Sequence, residues 1–178
     1  MEIKNHVEAL SLAIKTEEEG YNVFTQAAEK TRNVFLKDLF SQLASDEKKH
    51  MAVIKKYYNR IAETSQWDAV DTAELKKMSS KTRLDTIYSD SLNQIKKGSF
   101  DLDEDDLASC KWALKFEDEG AKMYNELYMK SEDKNAKLFY SLLRDMENEH
   151  YDTLNNLFTY LDAPESFHKT QDGWTMED

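Results

Sequence analysis

Two copies of the string Glu-x-x-His stand 100 residues apart in the chain, as Glu47-Lys48-Lys49-His50 and Glu147-Asn148-Glu149-His150. On a helix, a spacing of three puts a carboxylate and an imidazole on one face, a turn apart. A second stretch repeats at the same offset: Ala13-Ile14-Lys15-Thr16-Glu17-Glu18-Glu19-Gly20 matches Ala113-Leu114-Lys115-Phe116-Glu117-Asp118-Glu119-Gly120. Glu17 and Glu117 fall in phase with the apolar seam of their stretches. Six ionisable groups, Glu17, Glu47, His50, Glu117, Glu147 and His150, therefore occupy positions where a helix bundle would place its core. Four buried carboxylates without partners would each cost several kcal/mol and would repel one another. Two divalent cations carry +4 against their −4 and neutralise the set. Hard carboxylates with two imidazoles, and no thiolate among them, suit iron or manganese. Two ions bridged by shared carboxylates would sit about 3.5–4 Å apart, close enough to act on one small ligand.

Four long helices must position these groups. The first is expected over 5–31, with Asn5 and Glu8 as an N-terminal capping box and an inward stripe of Val7, Leu10, Ile14, Glu17, Tyr21, Phe24 and Ala28. The second is expected over 34–62, capped by Asn33, with Leu36, Phe40, Leu43, Glu47, His50, Ile54, Tyr57 and Ile61 inward. The third, over 103–131, starts from a cap at Asp101 or Asp103. Its acidic run 103–106 suits a helix N-terminus, and its stripe is Leu107, Cys110, Leu114, Glu117, Ala121, Tyr124 and Tyr128. The fourth, over 134–161, carries Ala136, Tyr140, Leu143, Glu147, His150, Leu154, Leu157 and Leu161, and Pro164 stops it. Each stripe alternates steps of three and four, the seam of a bundle helix.

The segment 63–102 is rich in Ser, Thr and Asp, with Trp67, Val70, Leu75 and Met78 scattered along it. A structureless loop of that length is unusual inside a compact domain. A short helix near 73–79 is expected, then a longer one over 82–97, with Leu84, Ile87, Tyr88, Leu92 and Ile95 on one face and Gly98 at its end. The segment must also traverse the bundle if the second and third helices run parallel. The expected domain is 1–162, followed by an irregular tail, 163–178, with Phe167 and Trp174 as docking anchors.

Composition agrees with an all-α chain: 178 residues hold 4 Gly and 1 Pro. A net charge of −11, with no basic block, speaks against nucleic-acid binding. The single cysteine, Cys110, excludes an intramolecular disulfide and a Cys-based zinc or iron–sulfur site. No basic-then-apolar leader is visible at the N-terminus, and no apolar run approaches the ~20 residues of a membrane span. A cytoplasmic location is the expectation.

The repeated stretches, with Asp46-Glu47-Lys48-Lys49-His50 and Met146-Glu147-Asn148-Glu149-His150, resemble the ferritin-like superfamily, specifically rubrerythrin-like di-iron proteins. Those proteins take one Glu from each of two helices and Glu-x-x-His from each of the other two. The resemblance covers the four long helices and not the 63–102 segment. It implies a ferritin-like antiparallel four-helix bundle with a long second-to-third crossover. It also implies two iron ions per chain, with manganese as the alternative, held by Glu17, Glu47, His50, Glu117, Glu147 and His150. The implied activity is that of an oxidoreductase acting on hydrogen peroxide or dioxygen.

In the family, an aromatic residue follows the first- and third-helix ligand by seven positions. Phe24 and Tyr124 stand there, which selects Glu17 over Glu18 and Glu19, and Glu117 over Asp118 and Glu119; the seam makes the same choice. Tyr124 is then a candidate hydrogen-bond donor beside the ligands. An Asp before Glu-x-x-His often orients the opposite imidazole, which gives Asp46 that role toward His150; Met146 stands at the equivalent place. Full-length rubrerythrins carry a four-cysteine rubredoxin module that one Cys cannot build, so electrons are expected from a separate donor such as a rubredoxin-type protein. The family's extra Glu one turn after the third-helix ligand is Gly120 here, matched by Gly20, so the six-residue set is nearer the ferritin and bacterioferritin type. Family analogy also implies a homodimer. The alternatives are a ferritin-like iron oxidation and storage protein, marked by iron well above two per chain, and a non-catalytic helical scaffold, in which Glu17→Ala or Glu147→Ala would be neutral or stabilising and no iron spectrum would appear.

Overall fold

The computed structural model describes residues 3–96, 102–162, 167–170 and 173–176. Six helices follow one another in it: α1 (Ile3–Lys30), α2 (Val34–Thr64), α3 (Thr72–Lys76), α4 (Lys81–Lys96), α5 (Glu104–Lys130) and α6 (Lys134–Asp162). A two-stranded antiparallel hairpin closes the described chain, β1 (Phe167–Thr170) on β2 (Gly173–Met176), with Phe167 opposite Met176 and Thr170 opposite Gly173. Apart from this hairpin, every described element is a helix.

Local chemistry sets the helix ends. The Asn33 side chain accepts from the backbone N–H of Phe35 and Leu36 and starts α2. At the other end Ser65, at φ 56°, turns into the left-handed region and its N–H returns to the Ile61 carbonyl. Asp103 and Asp106 form a reciprocal capping box at the start of α5. Asp71 caps α3 by accepting from the Glu74 N–H.

Four expectations change. Helix α1 begins at Ile3, so Asn5 lies within its first turn rather than at its N-cap. The short crossover helix is Thr72–Lys76 rather than 73–79, because Asp71 supplies the cap. The long crossover helix starts at Lys81 rather than at 82. The tail forms a hairpin where irregular structure was expected. The expected roles of Gly98, Asp101 and Pro164, and the side chains of Leu161, Phe167 and Trp174, lie outside the described residues.

Helices α1 and α2 pack as one hairpin and α5 and α6 as another, with α1 against α5 and α4 laid on both α2 and α6. Two apolar clusters fill the interior. The first joins Leu10 and Ala13 of α1, Ile54, Tyr57 and Ile61 of α2, Tyr124 of α5, and Phe139, Tyr140 and Leu143 of α6. The second joins Phe24 and Ala28, Leu36, Phe40 and Leu43, Cys110 and Ala113, and Leu154 and Leu157. Membership of the clusters gives the helix directions. The start of α1, the end of α2, the end of α5 and the start of α6 share one end of the bundle, so α2 and α5 run parallel. The crossover must then travel the length of the molecule, and it does. Trp67 and Leu75 are buried in the first cluster, Leu84 and Ile87 in the second.

Candidate metal centre

Between the two apolar clusters lies a band of charge. Glu17 comes from α1, Glu47 and His50 from α2, Glu117 from α5, and Glu147 and His150 from α6; none is more than 2% exposed. They form two tetrads, Glu17–Glu47–His50–Glu147 and Glu47–Glu117–Glu147–His150, and in each the candidate ligand atoms lie within 4.8 Å of one another. Glu47 and Glu147 belong to both. Each of these carboxylates turns one oxygen toward each imidazole. Glu147 Oε1 is 3.2 Å from His50 Nδ1, and Glu147 Oε2 is 3.8 Å from His150 Nδ1. Glu47 Oε2 is 3.9 Å from His50 Nδ1, and Glu47 Oε1 is 3.8 Å from His150 Nδ1. The other two carboxylates each serve one side: Glu17 Oε2 lies 3.2 Å from His50 Nδ1, and Glu117 Oε2 lies 3.3 Å from His150 Nδ1. The two rings face each other at 5.5 Å, 14° from parallel, with Nδ1 inward in both.

Burial in this band shifts proton affinities strongly. Burial pushes the Glu47 and Glu117 carboxyls well above the ordinary carboxylate range, and the charge of Glu147 adds to the shift at both. Burial alone would lower the imidazoles, but Glu147 and Glu17 outweigh it at His50, which rises to about 10. Glu117, Asp46 and Glu147 do the same at His150. The arrangement thus holds protons where a cation would otherwise balance the charge. Both oxygens of Glu47, Oε1 of Glu117 and Oε1 of Glu147 are buried without a hydrogen bond. Buried carboxylate oxygens without donors are costly. The donor set, four carboxylates and two imidazoles around two adjacent points, fits a pair of oxygen- and nitrogen-seeking divalent ions.

Two side chains outside the six steady the centre. The Tyr124 hydroxyl, fully buried on α5, donates to Glu17 Oε1. Asp46, one residue before Glu47, lies with Oδ2 3.5 Å from His150 Nε2, on the ring edge away from the cluster. Burial would raise the Asp46 carboxyl, but His150, Lys49 and Ser80 outweigh it and hold it well below the usual range. The partners of Asp46 are not named in the reading of the sequence. Lys49 Nζ donates to Oδ1 at 2.6 Å, Gln42 Nε2 to both oxygens at 3.0 and 3.1 Å, and the Ser80 hydroxyl to Oδ2. Lys49 and Gln42 lie three and four residues from Asp46 on one helix and were readable from spacing. Ser80 comes from the crossover, and nothing local announces it. His6, buried on α1 with Nδ1 3.3 Å from the Tyr140 hydroxyl, was also missed; it lies within the first apolar cluster and not among the six.

The family model described as Rubrerythrin matches residues 8–158. No curated protein matches the chain significantly. Among solved structures, a hypothetical protein from Pyrococcus furiosus is similar in fold, with a TM-score of 0.60 and 23% identity over 90% of this chain and 92% of that one.

Proposed function

The chain belongs to the rubrerythrin family, and on that premise we propose that it is a di-iron oxidoreductase that reduces hydrogen peroxide or dioxygen. The observation that carries the reading is the pair of tetrads sharing Glu47 and Glu147. Glu17 and His50 would complete the site of one ion, Glu117 and His150 that of the other, and the shared carboxylates would bridge them. Iron bound there would supply the two electrons that, with two protons, turn hydrogen peroxide into two waters.

The protein's own part is positional. Tyr124 holds one oxygen of Glu17 and leaves the other facing His50. Asp46 fixes the His150 ring from its outer edge and keeps Nδ1 turned inward. The apolar clusters above and below keep bulk water from the carboxylates. These 178 residues hold one cysteine and cannot themselves build a four-cysteine iron site. A donor of the rubredoxin type would return the electrons.

Anaerobic titration of metal-free protein with ferrous iron tests the reading. Two ions per chain are expected, followed by faster oxidation with hydrogen peroxide than with dioxygen. Glu47→Ala removes a carboxylate common to both tetrads and is expected to abolish binding of both ions while the circular dichroism stays helical. Wild-type protein that holds no stoichiometric iron would overturn the proposal. Uptake far above two ions per chain would turn it into iron storage.

A further inference from the structure

The sequence repeat predicts that whatever surrounds Gly20 should recur around Gly120, and the structure breaks that rule on one side only. A Cβ at Gly20 would stand 2.7 Å from Phe116 Cε1, 2.8 Å from its Cζ and 3.2 Å from Glu47 Cγ. Phe116 therefore plugs the approach to Glu47. It is a fixed plug, stacked on Trp112 at 4.8 Å and edge-on to Phe24 at 5.8 Å. At the 100-residue offset, Thr16 stands where Phe116 stands, and Leu12, 58% exposed, where Trp112 stands. Neither can plug the equivalent approach. A Cβ at Gly120 would find as its three nearest atoms only those of Glu147, at 3.5–3.6 Å. A groove of about 330 Å³ opens at this place between α1 and α5, with Thr16 and Glu19 on one side and Phe116, Glu119 and Gly120 on the other.

From this asymmetry we infer that the Thr16–Gly120 groove is the port through which divalent cations and peroxide-sized oxidants reach the metal centre, entering at Glu147; the inference rests on the reading of the six residues as metal ligands. Gly120 is the floor of the groove, and beneath it lies Glu147, one of the two carboxylates shared by both tetrads, with Oε2 3.6 Å from where a Gly120 Cβ would stand. Glu19 and Glu119 stand at the mouth, both exposed, where their charge raises the local concentration of cations. Lys115, 3.6 Å from Glu119, offsets part of it. Thr16 is the residue that keeps the port open, because it is short where its counterpart is a ring.

Stopped-flow uptake of cobalt(II) by metal-free protein, read from the visible absorption of the bound ion, tests the port without any turnover. Thr16→Phe restores the missing plug and is expected to slow uptake about tenfold or more, with two ions still bound at equilibrium. Phe116→Ala in the Thr16→Phe background opens the Gly20 side instead and is expected to restore the rate. If Thr16→Phe loses helical circular dichroism, Thr16→Leu fills the same groove with a smaller side chain and is expected to slow uptake in the same direction. Unchanged uptake in a folded Thr16 variant that binds two cobalt ions overturns the port and leaves the metal centre standing. Wild-type protein that binds no cobalt overturns both.

Discussion

Asp46 and Tyr124 make the two halves of the centre unequal. Each half has an inner Glu and an imidazole, but their supports differ. Tyr124 donates to Glu17, whereas the matching position beside Glu117 is Phe24, which has no hydroxyl, and Glu117 Oε1 lacks a hydrogen bond. Asp46 faces His150 Nε2, whereas the matching residue in the other half is Met146, which accepts only weakly. The partner of a ligating imidazole fixes its ring and raises its basicity, and its loss typically weakens metal binding 10–100-fold. Asp46→Ala is therefore expected to weaken one of two ions by about 10–100-fold and to leave the other nearly unchanged. A cobalt(II) titration against a competing chelator reads this as a split into two steps, and equal weakening of both ions would contradict it. The residue-level pattern was legible because Asp46 and Tyr124 sit at fixed steps from motif residues on their own helices. The Ser80 hydroxyl on Asp46 was not legible, because its partner is 34 positions away and only the path of the crossover brings them together.

At the scale of elements, the four long helices were readable because their seams repeat every three or four residues, although Val7, Ile14 and Tyr21 of α1 and Leu107, Leu114 and Tyr128 of α5 are only half-buried, with Ala13 and Ala113 fully buried beside Ile14 and Leu114. Leu36, Phe40, Leu43, Ile54, Tyr57 and Ile61 of α2 are all buried, as are Ala136, Tyr140, Leu143, Leu154 and Leu157 of α6. Where no such seam exists, reading failed or blurred: the tail hairpin has strands of four residues, and α3 has five. The glycine pair shows a further limit. The sequence presents Gly20 and Gly120 as equals, but their surroundings depend on Phe116 and Thr16 across the α1–α5 contact. Gly20→Ala drives a methyl group into a ring that Trp112 and Phe24 hold in place, so it is expected to lose about 1–3 kcal/mol through overpacking. Gly120→Ala meets Glu147 only at ordinary contact distance, so removal of a helix-interior glycine is expected to gain about 0.5–1 kcal/mol. Denaturant midpoints of the metal-free variants measure both, and two shifts of the same sign would show that the asymmetry is absent in solution.

For the molecule as a whole, a charged band divides one hydrophobic core into two, and the helices hold it closed from both ends. The band must stay near neutrality, and the metal-free protein reaches that state with protons. Burial and neighbouring charge raise the Glu47 and Glu117 carboxyls, and the surrounding carboxylates raise His50 and His150, so all four hold protons more tightly than in water. On the proposed reading, two divalent ions would do the same work with neutral imidazoles and four ionised carboxylates. Loading at neutral pH is therefore expected to expel protons, that of His50 among them, measurable with a pH indicator in weakly buffered solution. The sign for stability follows from His50. Its ordinary value is 6.5 and its folded value is about 10, so between those limits the folded chain binds more protons than the unfolded chain. The His50 share of metal-free stability is then fully present below about 6.5 and is lost as pH rises through about 10, and the raised carboxyls of Glu47 and Glu117 lose their share in the same direction. Metal binding runs the other way, because each ion competes with protons that become easier to remove. Thermal midpoints of loaded and metal-free protein should diverge steadily from pH 6.5 upward. Parallel curves would mean that the imidazoles in the band are not the groups that exchange protons for metal.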